Sequence, residues 1–157
     1  EYIGYPYGQG FVRGYSVQSI AGGIRESGGA ACTPVSDDPT ASQCAEIDRL
    51  FGTRALTTRA ELRIPLLGPE RLSLIPFQYV PTTLAPFVDA GVTWTAAQGP
   101  DFTFETNSSR TNIPVVSTGV AARFNILGSF LLEAYYARPF QRRDTTWEFG
   151  FRISPGF

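Results

Sequence analysis

The sequence predicts an all-β fold: an antiparallel transmembrane β-barrel, of which these 157 residues supply a C-terminal portion of five strands. Three observations predict it. Apolar and polar residues alternate with period two in five segments, the segments are long, and short connections alternate with long polar ones. The 3.6-residue period of an amphipathic helix is absent from these segments.

The first strand is expected over about 54–66. Leu56, Thr58, Ala60, Leu62 and Ile64 fall on one face, and Arg59, Glu61 and Arg63 on the other. The second, about 84–95, places Leu84, Val88, Ala90, Val92 and Trp94 opposite Asp89 and Thr93. The third, about 115–127, sets Val116, Val120, Ala122, Phe124 and Ile126 against Ser117, Gly119, Arg123 and Asn125. A tight turn at Leu127-Gly128-Ser129 leads to the fourth, about 130–140, where Phe130, Leu132, Ala134, Tyr136 and Phe140 oppose Glu133 and Tyr135. Arg138 lies on that apolar side near the strand end, where its long stem can reach water. After a second tight turn near Gln141–Asp144, the fifth strand, about 145–154, sets Trp147, Phe149, Phe151 and Ile153 against Glu148, Gly150 and Arg152. Such strands run about 9–11 residues, the length a tilted strand needs to cross a bilayer, against about 5–6 in an ordinary globular sheet. The alternative, a soluble β-sandwich with an aromatic core, would have shorter strands and fewer outward Arg and Glu. Trp94, Phe140, Trp147 and Phe157 stand near strand tips, where an interfacial aromatic girdle belongs.

Composition narrows the function. The 13 basic residues are all Arg, the acidic residues number 14, and Lys, His and Met are absent. Without His there is no Ser-His-Asp triad and no His metal site, and two Cys cannot complete a structural zinc site. The near-neutral balance offers no general attraction to nucleic-acid phosphates. Glu133 with Glu148, or Asp89 with Glu61, could be drawn as acid–base pairs. Interleaved with Arg59, Arg63, Arg123 and Arg152, they read more simply as a charge-balanced barrel interior, so no enzyme, cofactor or metal is expected.

The chain opens Glu1-Tyr2-Ile3-Gly4 with no signal peptide, and five strands cannot close a barrel when the smallest use about eight. It is therefore expected to be a processed chain or a piece of a longer one, with further strands ahead of it. An open sheet in lipid would leave unpaired backbone groups, each costing several kcal/mol. Cys32 and Cys44 lie in a long Gly/Ser/Pro/Asp-rich loop. In an exported protein such a pair favours a disulfide worth on the order of 3 kcal/mol, the alternative being two free buried thiols.

Four elements in order carry a resemblance to a known family: Val12-Arg13-Gly14-Tyr15, Leu62-Arg63-Ile64-Pro65-Leu66, Pro86-Phe87-Val88-Asp89-Ala90-Gly91-Val92-Thr93-Trp94, and Ala137-Arg138-Pro139-Phe140. Together they resemble the bacterial surface antigen family, the C-terminal barrel of BamA- and TamA-type outer-membrane assembly proteins. The resemblance implies that the loop of about 9–53 is extracellular and folds back into the lumen. It also implies that Arg13, with Gly14 and Tyr15 beside it, pins that loop against the carboxylates of Glu61 and Asp89. A guanidinium suits this task because its planar fork can grip carboxylates bidentately, which Lys cannot do as well. Phe149, Phe151, Ile153 and Phe157 resemble the C-terminal signal by which outer-membrane barrels are recognised for insertion. Pro155 departs from that pattern, and the last strand is expected to leave the sheet near Ile153.

Two functions follow from the resemblance. In one, the barrel assembles, inserts or translocates outer-membrane proteins in the bacterial outer membrane, with lipid, unfolded clients and periplasmic accessory proteins as partners and POTRA repeats ahead of it. In the other, it anchors or displays a further module such as a propeller or hydrolase, or is a passive pore. Fold alone does not choose between them.

Overall fold

The computed structural model describes residues 3, 12–15, 45–69, 71, 73–77, 79–106, 110–126, 129–142 and 147–155. The period-two segments become strands, because alternating side chains suit a pleated backbone with two unlike faces. In chain order these are a single helical turn α1 (Ala45–Asp48), then β1 (Arg54–Glu61), β2 (Ile64–Gly68), β3 (Ile75–Pro76), β4 (Thr82–Trp94), β5 (Val115–Ile126), β6 (Phe130–Pro139) and β7 (Glu148–Pro155). They form one sheet, open among the described residues. Both β1 and β2 lie along β4, and β5, β6 and β7 follow in order, each antiparallel to the last. Only β3 is parallel to its neighbour, β2, which makes the sheet mixed. With 13 residues, β4 extends about 40 Å, so a tilt of about 40° spans the roughly 30 Å hydrocarbon layer.

Three details differ from the sequence reading beyond small shifts at strand ends. The strand expected over 54–66 is interrupted, yet its register is not: Glu61 faces Phe87 in β1 and Ile64 faces Leu84 in β2. Between them the Leu62 N–H donates to the Pro86 carbonyl at 3.0 Å, and Pro86 has no N–H to return the bond. The second is β3, which lies in the connection from β2 to β4; there Leu74 N–H donates to Pro65 and Phe77 N–H to Gly68. The third is the end of the chain. Pro155 does not expel the last strand, because β7 runs through it with Phe130 opposite. It is the terminal residue of a strand with one described neighbour, where a missing N–H breaks no interior rung. At the starts, β4 begins two residues before the expected 84 and β7 three after the expected 145.

The faces are inverted relative to a soluble sheet. Along β4, Ala85, Phe87, Asp89, Gly91 and Thr93 are buried, while Pro86 and Val88 are exposed. The outward set includes Leu56, Leu62, Val88, Val120, Tyr136, Phe149, Phe151 and Ile153, with Leu62 and Phe149 each 66% exposed. Buried polar residues include Arg13, Arg49, Asp89, Ser117, Gln141 and Arg142. Apolar side chains outside and ions inside suit a wall between lipid and a polar lumen. No helix of the described residues is long and apolar enough to cross a membrane. On the outer face Tyr136 and Trp147 stack with centroids 4.8 Å apart. Trp94 ends β4, Phe140 follows β6, and Phe157 lies outside the described residues.

Two clusters fill the inner side. Ala85, Phe87, Ala121, Tyr135 and Ala137 line the inward face of β4, β5 and β6. Ile3, Val12, Tyr15, Leu50 and Val115, with Ile47 and Ala55 against them, seat residues from before β1 on the sheet.

Candidate functional site

Strand periodicity assembles the site. Asp89 and Phe87 are two apart on β4 and therefore share its inward face. Register places Arg59 of β1 and Ser117 of β5 beside Asp89, Glu61 beside Phe87, and Arg123 of β5 opposite Glu133 of β6. Opposite charges thus face each other across neighbouring strands, an arrangement that stabilises a pair of strands.

Arg13 enters from outside the sheet and is fully buried. Its Nε donates to Asp89 Oδ2 at 2.8 Å and its Nη2 to Asp89 Oδ1 at 3.0 Å, a bidentate fork. The Arg13 backbone N–H donates to Asp89 Oδ2 at 3.2 Å. Nη2 also reaches Glu61 Oε2 at 3.4 Å, and Nη1 lies 3.7 Å from Glu133 Oε1. The guanidinium carbon sits 3.4 Å from the Phe87 ring centroid, so an aromatic face also supports the cation. Gly119 faces Phe87 on β5 and leaves room for that ring; a Cβ there would meet the ring 2.9 Å away and the Tyr136 carbonyl oxygen at 2.2 Å.

The carboxylates are shared among several cations. Asp89 also accepts from Arg59 Nε at 3.0 Å. Glu61 accepts from Arg63 at 2.8 Å and from both Nη1 and Nη2 of Arg123, whose Nε donates to Glu133 at 2.7 Å. Burying ions costs several kcal/mol each, recovered only where geometry and hydrogen bonds are good. Here the good geometry comes from forks gripping carboxylates fixed on strands.

Each neighbour of Arg13 has its own seat. Val12 joins the cluster with Ile3 and Leu50, and its N–H donates to the Ile3 carbonyl at 3.0 Å. Gly14 adopts φ 84°, the left-handed region that favours glycine, and a Cβ there would lie 3.2 Å from that of Ala137. Its carbonyl accepts from Arg142 Nη1 at 3.1 Å. The Tyr15 hydroxyl accepts from the Gln141 N–H at 2.9 Å and lies 2.8 Å from Gln141 Oε1 and 3.1 Å from the Val116 carbonyl. Gln141 Oε1 in turn accepts from the Val116 N–H at 2.7 Å. Burial pushes the Tyr15 hydroxyl pKa well above its ordinary value near 10, so it stays protonated.

The structure thus brings Arg13, Gly14, Tyr15, Glu61 and Asp89 into one connected arrangement. Phe149, Phe151 and Ile153 stand apart from it, exposed on β7. Cys32, Cys44 and Phe157 lie outside the described residues. Phe87 is legible in the sequence as the aromatic on the polar-face parity of β4, two residues before Asp89. Gln141, Arg142 and Arg49 are not, because they sit outside any strand, and no local pattern marks a connection whose side chains turn inward. Among the described residues no group of three His, Cys, Asp or Glu is placed to hold a metal ion.

A family model described as the Omp85 superfamily domain matches residues 5–157. No curated protein and no solved structure matches the chain.

Proposed function

The chain belongs to the Omp85 superfamily of bacterial outer-membrane barrel proteins, and on that premise we propose that it forms the C-terminal strands of a BamA/TamA-type machine that inserts or translocates other outer-membrane proteins. The observation that carries the reading is Arg13, fully buried and forked onto Asp89 inside a sheet whose outward side chains are mostly apolar. In this reading Arg13, Gly14 and Tyr15 latch the long loop within the lumen against Glu61 and Asp89. The pinned loop keeps the β1–β4–β5–β6 wall rigid, while β7, with β6 as its one described neighbour, supplies a strand edge on which a client strand can form by β-augmentation. Phe149, Phe151 and Ile153 face outward as a C-terminal insertion signal would, with Phe157 completing it. A Cys32–Cys44 disulfide would brace the extracellular part of the loop. Partners are outer-membrane lipid, unfolded clients and periplasmic accessory proteins. No catalytic role is assigned.

The test reconstitutes the whole protein that carries this chain in lipid vesicles and adds a urea-unfolded outer-membrane barrel as client. Conversion of the client to its heat-resistant folded form is followed on gels. The wild type should accelerate conversion, and Arg13→Ala should lose most of that acceleration while remaining inserted. A wild-type protein that inserts fully yet leaves client folding at the rate of empty vesicles would favour the anchor or passive-pore function and overturn the proposal.

A further inference from the structure

Arg142 is 3% exposed in the connection between β6 and β7, and it faces two ways. Its Nη1 donates to the Gly14 carbonyl at 3.1 Å and to Glu148, the first residue of β7. One nitrogen with two hydrogens therefore joins the Arg13–Gly14–Tyr15 segment to the last strand. The residue before it strengthens the link: Gln141 holds the Tyr15 hydroxyl through both its backbone N–H and its side-chain oxygen. The Gly14 backbone conformation is also specific, since φ 84° lies in the left-handed region that a residue with a Cβ rarely adopts.

We infer that Arg142 is a positioning residue that makes seating of the loop and alignment of β7 a single equilibrium. If the segment leaves the lumen, Arg142 Nη1 loses the Gly14 carbonyl that it holds together with Glu148, and the start of β7 loses the brace that this shared nitrogen supplies. If β7 moves away, the Glu148 carboxylate that orients Arg142 goes with it, and the Gly14 carbonyl is left buried without this donor. A strand edge meant to receive clients would then be firm while the loop is seated and loosened when it is not. This inference rests on the reading of Arg13 as the residue that holds the loop.

Hydrogen exchange on the whole protein in lipid nanodiscs tests it, read at amides of residues 12–15 and at the non-proline amides of 148–155. Arg142→Gln should speed exchange in both segments by roughly tenfold to a hundredfold, the factor a charge-assisted hydrogen bond is worth. Arg142→Lys keeps the charge but not the fixed donor directions of the planar guanidinium and should fall between Gln and wild type in both segments together. Acceleration confined to 148–155 would make Arg142 a local brace of the β6–β7 connection and overturn the coupling, as would no acceleration in either segment. Should Arg142→Gln fail to assemble, Glu148→Gln is read at the same segments by the same criterion. Arg13→Ala separates the two readings: unchanged exchange at 12–15 in that variant counts against the loop-holding role of Arg13 whatever the Arg142 variants do.

Discussion

The Arg13–Asp89 pair can be isolated by a double-mutant cycle of Arg13→Ala, Asp89→Ala and both together. The pair makes two fork bonds, at 2.8 Å and 3.0 Å, with both side chains fully buried. A charge-assisted bond is worth about 1.5–3 kcal/mol, so the fork alone amounts to roughly 3–6 kcal/mol before compensation. Compensation is present. In Arg13→Ala, Asp89 keeps Arg59 and the backbone N–H of residue 13, and in Asp89→Ala the guanidinium keeps Glu61 at 3.4 Å. A coupling energy of about 3 kcal/mol is therefore expected, near the low end of the gross value.

The assay is the free energy of loop opening, read from native-state hydrogen exchange at residues 12–15 of the whole protein in nanodiscs. Arg13→Ala should lower the free energy of opening by about 4 kcal/mol, in the range for stripping one partner from a buried pair, and the double variant should be milder than the sum of the singles by the coupling energy. Arg13→Lys, which keeps the charge and loses the fork, should cost about 2 kcal/mol. A coupling below about 1 kcal/mol, the value of an exposed ion pair, would refute the argument that burial and fork geometry make this contact strong.

Two further substitutions probe the neighbours of Arg13. Gly14→Ala must hold a Cβ at φ 84° and 3.2 Å from that of Ala137, so the free energy of opening at residues 12–15 should fall by at least about 1–2 kcal/mol; an unchanged value would mean that this turn relaxes freely. Tyr15→Phe strips the hydroxyl from the Gln141 N–H and should cost about 1–3 kcal/mol, seen as faster exchange of the Gln141 amide. The pH dependence follows from the raised Tyr15 pKa: the folded state holds this proton more tightly than the unfolded state. Its contribution is whole below pH 10 and falls as pH rises past that value, so wild type should lose stability more steeply there than Tyr15→Phe. Parallel profiles above pH 10 would contradict the burial.

Parity made the strands and their faces legible. Asp89 and Glu61 could be placed on inward faces because a period of two has only two answers, and lipid outside with charge inside fixes which is which. The break between β1 and β2 was legible only in part. Pro86 was visible in the sequence, but that it faces Leu62 is a matter of register between segments. Arg142 and Gln141 lay beyond reach for a different reason. Their role is set by a segment 126 to 128 residues away in the chain, and nothing local records that encounter. Arg49, whose Nε donates to the Arg110 carbonyl at 2.7 Å, belongs with them.

The all-Arg basic composition takes its meaning from the sharing of carboxylates. Glu61 serves Arg13, Arg63 and Arg123, Asp89 serves Arg13 and Arg59, and Glu133 is approached by Arg13 and Arg123. Such sharing needs cations with several donors in fixed directions, so that one side chain can reach carboxylates on different strands. An ammonium offers three donors around a point and is more strongly hydrated, which makes its burial costlier. The network also favours distributed over local failure. Neutralising Glu61 alone would leave Arg13 its Asp89 fork yet take a shared anchor from Arg63 and Arg123. The loop contact and the β1–β5–β6 wall are then weakened together, because the same carboxylate holds both.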